Sequence, residues 1–264
     1  MTKKTTKRVE TDEIRNRLMQ SREVSRFSDI EVPEALRTSL KTGWTYADAL
    51  FTGDGIRPST AAMVTGLPGA GKTTFSLQLA DYLISQGHTV FYNSCEESGQ
   101  QLKMTLERLE LHHMLANGFH ASLCEVGEIL ENAETIRESM TPQKGKGFFL
   151  FVDSLQTIEK EKSGPGRAAS QQNQAAEAMW DIAGWCKETM GVAMIIGQVT
   201  KDGTFAGKQE VKHAIDAHLH LSIDSDKKSE TYRQRIAEMQ KNRFGATGLF
   251  FPYEMTAQGL LFRQ

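Results

Sequence analysis

Along the chain the hydrophobic positions fall into two rhythms. Five short runs, residues 61–65, 89–93, 119–123, 148–152 and 192–197, are apolar with few interruptions, the pattern of strands buried on both faces. Between them apolar residues return at helical spacing. Phe75, Leu79 and Leu83 follow Lys72 and are stopped by Gly87, and Leu102, Leu106 and Leu109 make a second stripe. Residues 169–189 read as a third helix, rich in Ala and Gln. Strand and helix alternating in this way predict an α/β core, a mostly parallel sheet flanked by helices. After Asp216 the rhythm changes. Leu219, Leu221 and Ile223 alternate with polar residues and residues 235–240 form a further run, which predicts an antiparallel C-terminal extension at one edge of the sheet.

The first 30 or so residues differ from the rest: charges and hydroxyls dominate, with a weak helical pattern through Ile14, Leu18 and Met19. We expect residues 1–39 to be an arm or docking helix and residues 40–264 to be the core. There are no internal repeats, and the one low-complexity patch is the polar stretch 224–230.

Composition narrows the function classes. Hydrophobic residues make up 39% of the 264 positions, enough for a packed core and against disorder throughout. The 31 basic and 33 acidic side chains leave a net charge of −2, so any nucleic-acid binding must come from local loops rather than a global field. Cys95, Cys124 and Cys186 are odd in number and widely spaced, which argues against a disulfide framework and against a CxxC zinc site. No apolar run approaches the ~18 residues of a spanning helix, and the N-terminus lacks the apolar core of a secretory signal. The expectation is a cytoplasmic protein with no membrane partner.

The most specific chemistry lies between the first strand and the first helix of the core. Gly66, Leu67, Pro68, Gly69, Ala70, Gly71, Lys72 and Thr73 spell GxxxxGK[ST], a loop whose backbone N–H groups turn inward around phosphate at the positive end of a helix. Lys72 is expected to reach the β and γ oxygens of ATP and Thr73 to ligate Mg²⁺ through its hydroxyl. Thr74 completes the expected nucleotide-binding set. Asp153, at the end of the run FFLFVD, is the expected acid for the metal's water shell, with Ser154 beside it. Glu96 and Glu97 follow the 89–93 strand. Glu96 is the first choice as general base, with Glu97 sharing the task or bonding nearby structure. Gln198 ends the 192–197 strand as a neutral sensor of the γ-phosphate. The glycine- and lysine-bearing segment 200–208, with Lys201, Phe205 and Lys208, and the 163–167 loop with Arg167 at its tip suit a grip on single-stranded DNA.

Taken together these strings resemble the RadA (Sms) branch of the RecA-like ATPases. The resemblance is carried by the phosphate loop, CEES at 95–98, FVDSLQTI, the SGPG loop, GQVTKDGTFAG and above all KNRFG at 241–245. It runs from about Thr42 to about Leu260. It implies a RecA-like P-loop core that forms a homo-oligomeric ring, a hexamer, around DNA and acts in recombination and repair by ATP-driven translocation or branch migration. It also implies a recombinase or replication protein as partner. Lys241 and Arg243 become cations that act on a neighbouring subunit's nucleotide. Two other readings compete: a DnaB-type replicative helicase, and a KaiC-like ATPase switch that scaffolds proteins without touching DNA. The chain departs from the RadA pattern in having no four-cysteine zinc module, no protease-like domain, and a glutamine, Gln198, where the family commonly has histidine. We therefore expect a stand-alone motor core.

His218 and His220 alternate with Leu219 and Leu221 and are expected on the polar face of a strand rather than on a metal. His112 and His113 are expected to close a helix, Met104, Met114, Met179 and Met194 to fill the core, and Trp44, Trp180 and Trp185 to pack in the core or at a subunit contact.

Overall fold

The structure, a computed structural model, describes residues 26–141, 143–159, 171–198 and 209–263. The N-terminal pattern through Ile14, Leu18 and Met19, the 163–167 loop with Arg167, and the 200–208 segment with Lys201, Phe205 and Lys208 lie outside the described residues.

The chain forms two compact units that divide between Arg37 and Thr38. In the first, a 3₁₀ turn at Phe27–Asp29 is followed by the short helix α1 (Glu34–Arg37), neither burying a side chain. The second unit holds everything else. Its strands are β1 (Ala61–Gly66), β2 (Thr89–Ser94), β3 (Phe119–Ala121), β4 (Phe148–Asp153), β5 (Val192–Gln198), β6 (Ala217–Ile223), β7 (Arg235–Asn242), β8 (Phe250–Thr256) and β9 (Gly259–Phe262). Its helices are α2 (Thr45–Phe51), α3 (Lys72–Ser85), α4 (Gly99–Arg108), α5 (His112–Asn117), α6 (Val126–Glu138), α7 (Gln171–Thr189) and α8 (Gln209–Ala214).

The strands make one sheet in the order β3-β2-β4-β5-β1-β6-β7-β8-β9. Pairings from β3 through β6 are parallel, and β7, β8 and β9 add on antiparallel. Period-two alternation divides the strand side chains between two cores. Ala62, Val64, Phe149 and Phe151 face α3 and its Phe75, Leu79 and Leu83, whereas Ala61, Met63, Phe148, Leu150 and Val152 face α6 and α7. Burial on both faces explains why these strands read as continuous apolar runs. Among the described residues no helix is long and apolar enough to cross a membrane.

Several sequence expectations need correction. β6 was expected within the edge extension but lies inside the sheet, parallel to β1 and antiparallel to β7. Its His218 and His220 therefore sit on no solvated face: His218 is only 8% exposed. Thr65 Oγ1 lies 2.7 Å from His218 Nε2 and 2.8 Å from His220 Nδ1. β3 stops at Ala121 because Leu123 bonds to the Asn93 side chain instead of a ladder, its N–H donating to Oδ1 and its carbonyl accepting from Nδ2. As the edge strand, β3 leaves Phe119 exposed. His112 and His113 begin α5 rather than ending a helix. Met104 projects from α4 at 68% exposure, whereas Met114, Met179 and Met194 are buried. Trp44 packs on Phe75, Tyr82 and Phe262. Trp185 is buried, and Trp180 is half exposed. Against the expectation of no disulfide, Cys95 and Cys124 are joined, while Cys186 is free and buried. The parallel pairing of β2 with β3 brings the two segments side by side, a proximity that linear spacing does not disclose.

Candidate nucleotide site

The phosphate loop leaves β1 and enters α3 through two glycines with positive φ, Gly69 at 77° and Gly71 at 98°, a region that side chains disfavour. Close approach constrains Gly66 as well. A Cβ there would meet the Leu221 carbonyl oxygen of β6 at 2.4 Å. Two groups from the C-terminal strands brace the loop from outside: Tyr253 Oη donates to the Ala70 carbonyl at 2.7 Å, and Arg235 donates to that of Gly69 at 3.1 Å. Sequence reading missed both braces, since their partners are backbone atoms more than 160 residues away.

Lys72 folds back over the loop and donates to the carbonyls of Gly66 at 2.9 Å and Leu67 at 3.2 Å. Burial lowers its pKa, while the Asp153 and Glu96 carboxylates oppose that shift. Thr73 Oγ1 donates to Asp153 Oδ2 at 2.9 Å, and Tyr92 Oη donates to the same oxygen at 3.1 Å. Asp153 is 4% exposed. Burial raises its pKa against the two hydroxyl donors, and the charges of Glu96 and Glu97 push the same way as burial. Tyr92 was not anticipated. The available signal was a phenol in an apolar strand, which when buried needs a partner for its hydroxyl.

Ser94 ends β2, and the turn into α4 carries both glutamates. Glu96 accepts a hydrogen bond from Ser154 Oγ, so Ser154 bonds the glutamate. The Glu97 N–H donates to Ser94 Oγ at 3.2 Å, and Ser98 caps α4 in a capping box with Gln101. A cavity of about 330 Å³ is lined by Pro68, Gly69, Gly71, Lys72, Thr73, Thr74, Glu96, Asp153, Ser154, Ile196, Gln198 and Met255. The topology thus brings most of the expected set around one space. Gly66, Leu67 and Ala70 belong to the same loop but not to that lining. Glu97 lies outside it.

Lys241 and Arg243 lie elsewhere. Arg243 pairs with the buried Asp216 at 2.6 Å, and its N–H donates to the Asp216 carbonyl at 2.8 Å. Asp216 in turn accepts from the Ala61 N–H at 3.0 Å. Lys241 Nζ donates to the carbonyls of Lys212 and Ile215 at 2.6 and 2.7 Å. Burial and the Arg243 charge lower the Lys241 pKa, with Asp216 opposing. Both cations are therefore anchored at the Ala61 end of β1, whereas the phosphate loop leaves from Gly66, about 17 Å away along the strand.

A family model described as "ATPase: KaiC" matches residues 40–119. The DNA repair protein RadA of Salmonella typhimurium is 35% identical over 90% of this chain and 47% of its own length. That of Aquifex aeolicus is 33% identical over 79% of this chain and 43% of its own. The chain thus spans a little under half the length of these relatives. Among solved structures, a DnaB-like replicative helicase superposes with a TM-score of 0.72 at 16% identity, over 88% of this chain and 67% of that one. A KaiC-like protein of Pyrococcus horikoshii OT3 gives 0.66 at 16% identity, over 86% and 99%. A separately solved ATPase domain gives 0.73 at 17% identity, over 90% and 96%. By sequence the chain is similar to the DNA repair protein RadA over most of its own length, and by fold it matches RecA-like ATPase domains.

Proposed function

We propose that this core binds ATP at the phosphate loop, hydrolyses it with Mg²⁺, and drives a DNA motor in recombination and repair. The observation that carries this reading is the gathering of Lys72, Thr73, Asp153, Glu96 and Gln198 around one cavity at the mouth of β1. The backbone from Gly66 to Thr74 wraps the phosphates. Lys72 exchanges its two carbonyl acceptors for β and γ oxygens. Glu96, held by Ser154, orients and polarises the attacking water, while Gln198 contacts the γ-phosphate. Thr73 Oγ1 and Asp153 Oδ2, 2.9 Å apart, are the hard oxygen donors that fit Mg²⁺. When bound, that ion neutralises charge on the β and γ oxygens.

Lys241 and Arg243 face away from their own protomer's phosphate loop and complete a neighbour's site, where they stabilise charge on the transferring phosphoryl group. Protomers accordingly assemble as a ring, a hexamer in this reading. Single-stranded DNA is gripped by Arg167, Lys201, Phe205 and Lys208. The names of the RadA relatives support a role in DNA repair, and a recombinase or replication protein is the natural partner. The protein works in the cytoplasm.

The test measures ATP binding and turnover with and without single-stranded DNA. Lys72→Ala should lose binding, and Glu96→Gln should bind ATP with turnover reduced by about 10²-fold or more. DNA should accelerate the wild type and not the Lys201→Ala/Lys208→Ala variant. Turnover indifferent to DNA, with DNA affinity unchanged in that variant, rejects the motor and favours a KaiC-like switch, the alternative suggested by the family model that matches residues 40–119. Displacement of a strand from a fork without recombination intermediates favours a DnaB-type helicase.

A further inference from the structure

The disulfide Cys95–Cys124 closes on the turn that presents Glu96. Cys95 is the residue immediately before Glu96, and its N–H donates to the Asp153 carbonyl at 3.1 Å, so it sits between the two acids of the site. Cys124 lies in the segment after β3, just before Glu125, whose side chain caps α6 through the N–H groups of Gly127 and Glu128. The bond therefore fastens the Glu96 turn to the foot of α6. Cys124 is exposed and Cys95 partly so, which leaves the pair open to attack by a thiol. Burial raises the thiol pKa of Cys186, which makes that residue inert by comparison.

Noncovalent ties keep the two segments together independently of the bond. The Asn93 amide bonds both the N–H and the carbonyl of Leu123, and the Cα atoms of Cys95 and Cys124 stand 5.8 Å apart, within the ordinary span of a disulfide. Opening the bond leaves two thiols poised to reclose. In a reducing compartment an accessible, reclosable bond has the character of a sensor rather than a staple.

We infer that Cys95–Cys124 is a thiol–disulfide exchange site that sets the turnover rate by fixing or freeing the turn that carries Glu96. The inference rests on the role proposed for Glu96. A dithiol reductant supplies one thiolate, which attacks a sulfur of the pair. The protein S–S bond breaks, a mixed disulfide forms, and the departing sulfur takes a proton. The reductant's second thiol then displaces the remaining protein thiol. The protein gains two electrons and two protons, and the reductant leaves as its disulfide. Glutathione disulfide reverses the sequence. The closed bond holds Glu96 against Ser154, so the oxidised protein is the faster form.

Full-length protein is equilibrated with glutathione disulfide or with dithiothreitol. Each sample is alkylated after denaturation and weighed, and is assayed for ATP affinity and turnover. One alkylated cysteine is expected after oxidation and three after reduction. Reduction should lower turnover by about three- to tenfold, a loss of positioning, with ATP affinity unchanged. The Cys95→Ser/Cys124→Ser variant should run at the reduced rate under both treatments. Three alkylated cysteines after oxidation, equal rates in samples whose labelling differs, or a double variant that still responds to redox treatment each overturn the inference. ATP hydrolysis that ignores redox state sinks this inference alone. Turnover that is undiminished in Glu96→Gln sinks the proposed role of Glu96 and this inference with it.

Discussion

Asp153 shows how single side chains set the site. A buried carboxylate is costly, and here two hydroxyls, Thr73 and Tyr92, share one of its oxygens while burial raises its pKa. Tyr92→Phe removes one donor, so the pKa of Asp153 should rise further and the fold should lose about 1 kcal/mol. Urea unfolding at neutral pH measures the loss. Because an elevated carboxylate pKa favours the protonated folded form, the deficit should shrink as pH falls through the carboxylate range. At this scale the sequence was informative wherever a residue type and its spacing carry the chemistry, as with Lys72, Thr73 and Asp153. It was silent about Tyr92 and about Cys95 with Cys124, whose partners are fixed by which strands lie next to each other.

Among the elements, β6 has the greatest consequence. It was legible as a strand, yet alternation alone placed it in the edge extension, because His218 and His220 count as polar in a hydropathy pattern. In the sheet His218 is buried and His220 partly buried, both against Thr65, the residue before the phosphate loop. Burial, with the charges of His220, Lys212 and Lys241, depresses the His218 pKa to about 4. His220 is lowered too, mainly by burial, with Glu238 opposing and Lys72 reinforcing. A depressed histidine favours the neutral folded form. Its contribution is therefore present above its ordinary pKa of about 6.5 and is lost as pH falls from there toward 4. Wild-type stability should drop by roughly 3 kcal/mol across that window, and His218→Gln should flatten the drop. Unfolding free energies at several pH values decide this. β6 also limits Gly66: Gly66→Ala sets a methyl against the Leu221 carbonyl and should cost about 1–3 kcal/mol, with nucleotide affinity falling alongside. Thermal unfolding with and without ATP tests both effects.

For the whole molecule, the parallel character of the core followed from the alternation of apolar runs and helices, and the phosphate loop from its own spelling, whereas the strand order followed from neither. What spacing did not disclose was that KNRFG doubles back to Asp216 at the far end of β1. Mixing Glu96→Gln and Arg243→Ala protomers, each inactive alone, should restore turnover through junctions that pair an intact Glu96 with a neighbour's Arg243. At equal ratio, roughly a quarter of junctions would be whole if subunits mix at random, and steady-state ATP hydrolysis across mixing ratios reads this out. No recovery at any ratio rejects shared sites. The two ends of β1 carry a further implication. On the role proposed for Lys241 and Arg243, a receptor at one end of a strand and a donor at the other would meet head-to-tail, which either closes a circle or continues as a helical fibre. An open run always has one terminal copy whose pocket lacks its donor, so activity per chain should climb with protein concentration and level off once every run has closed or grown long.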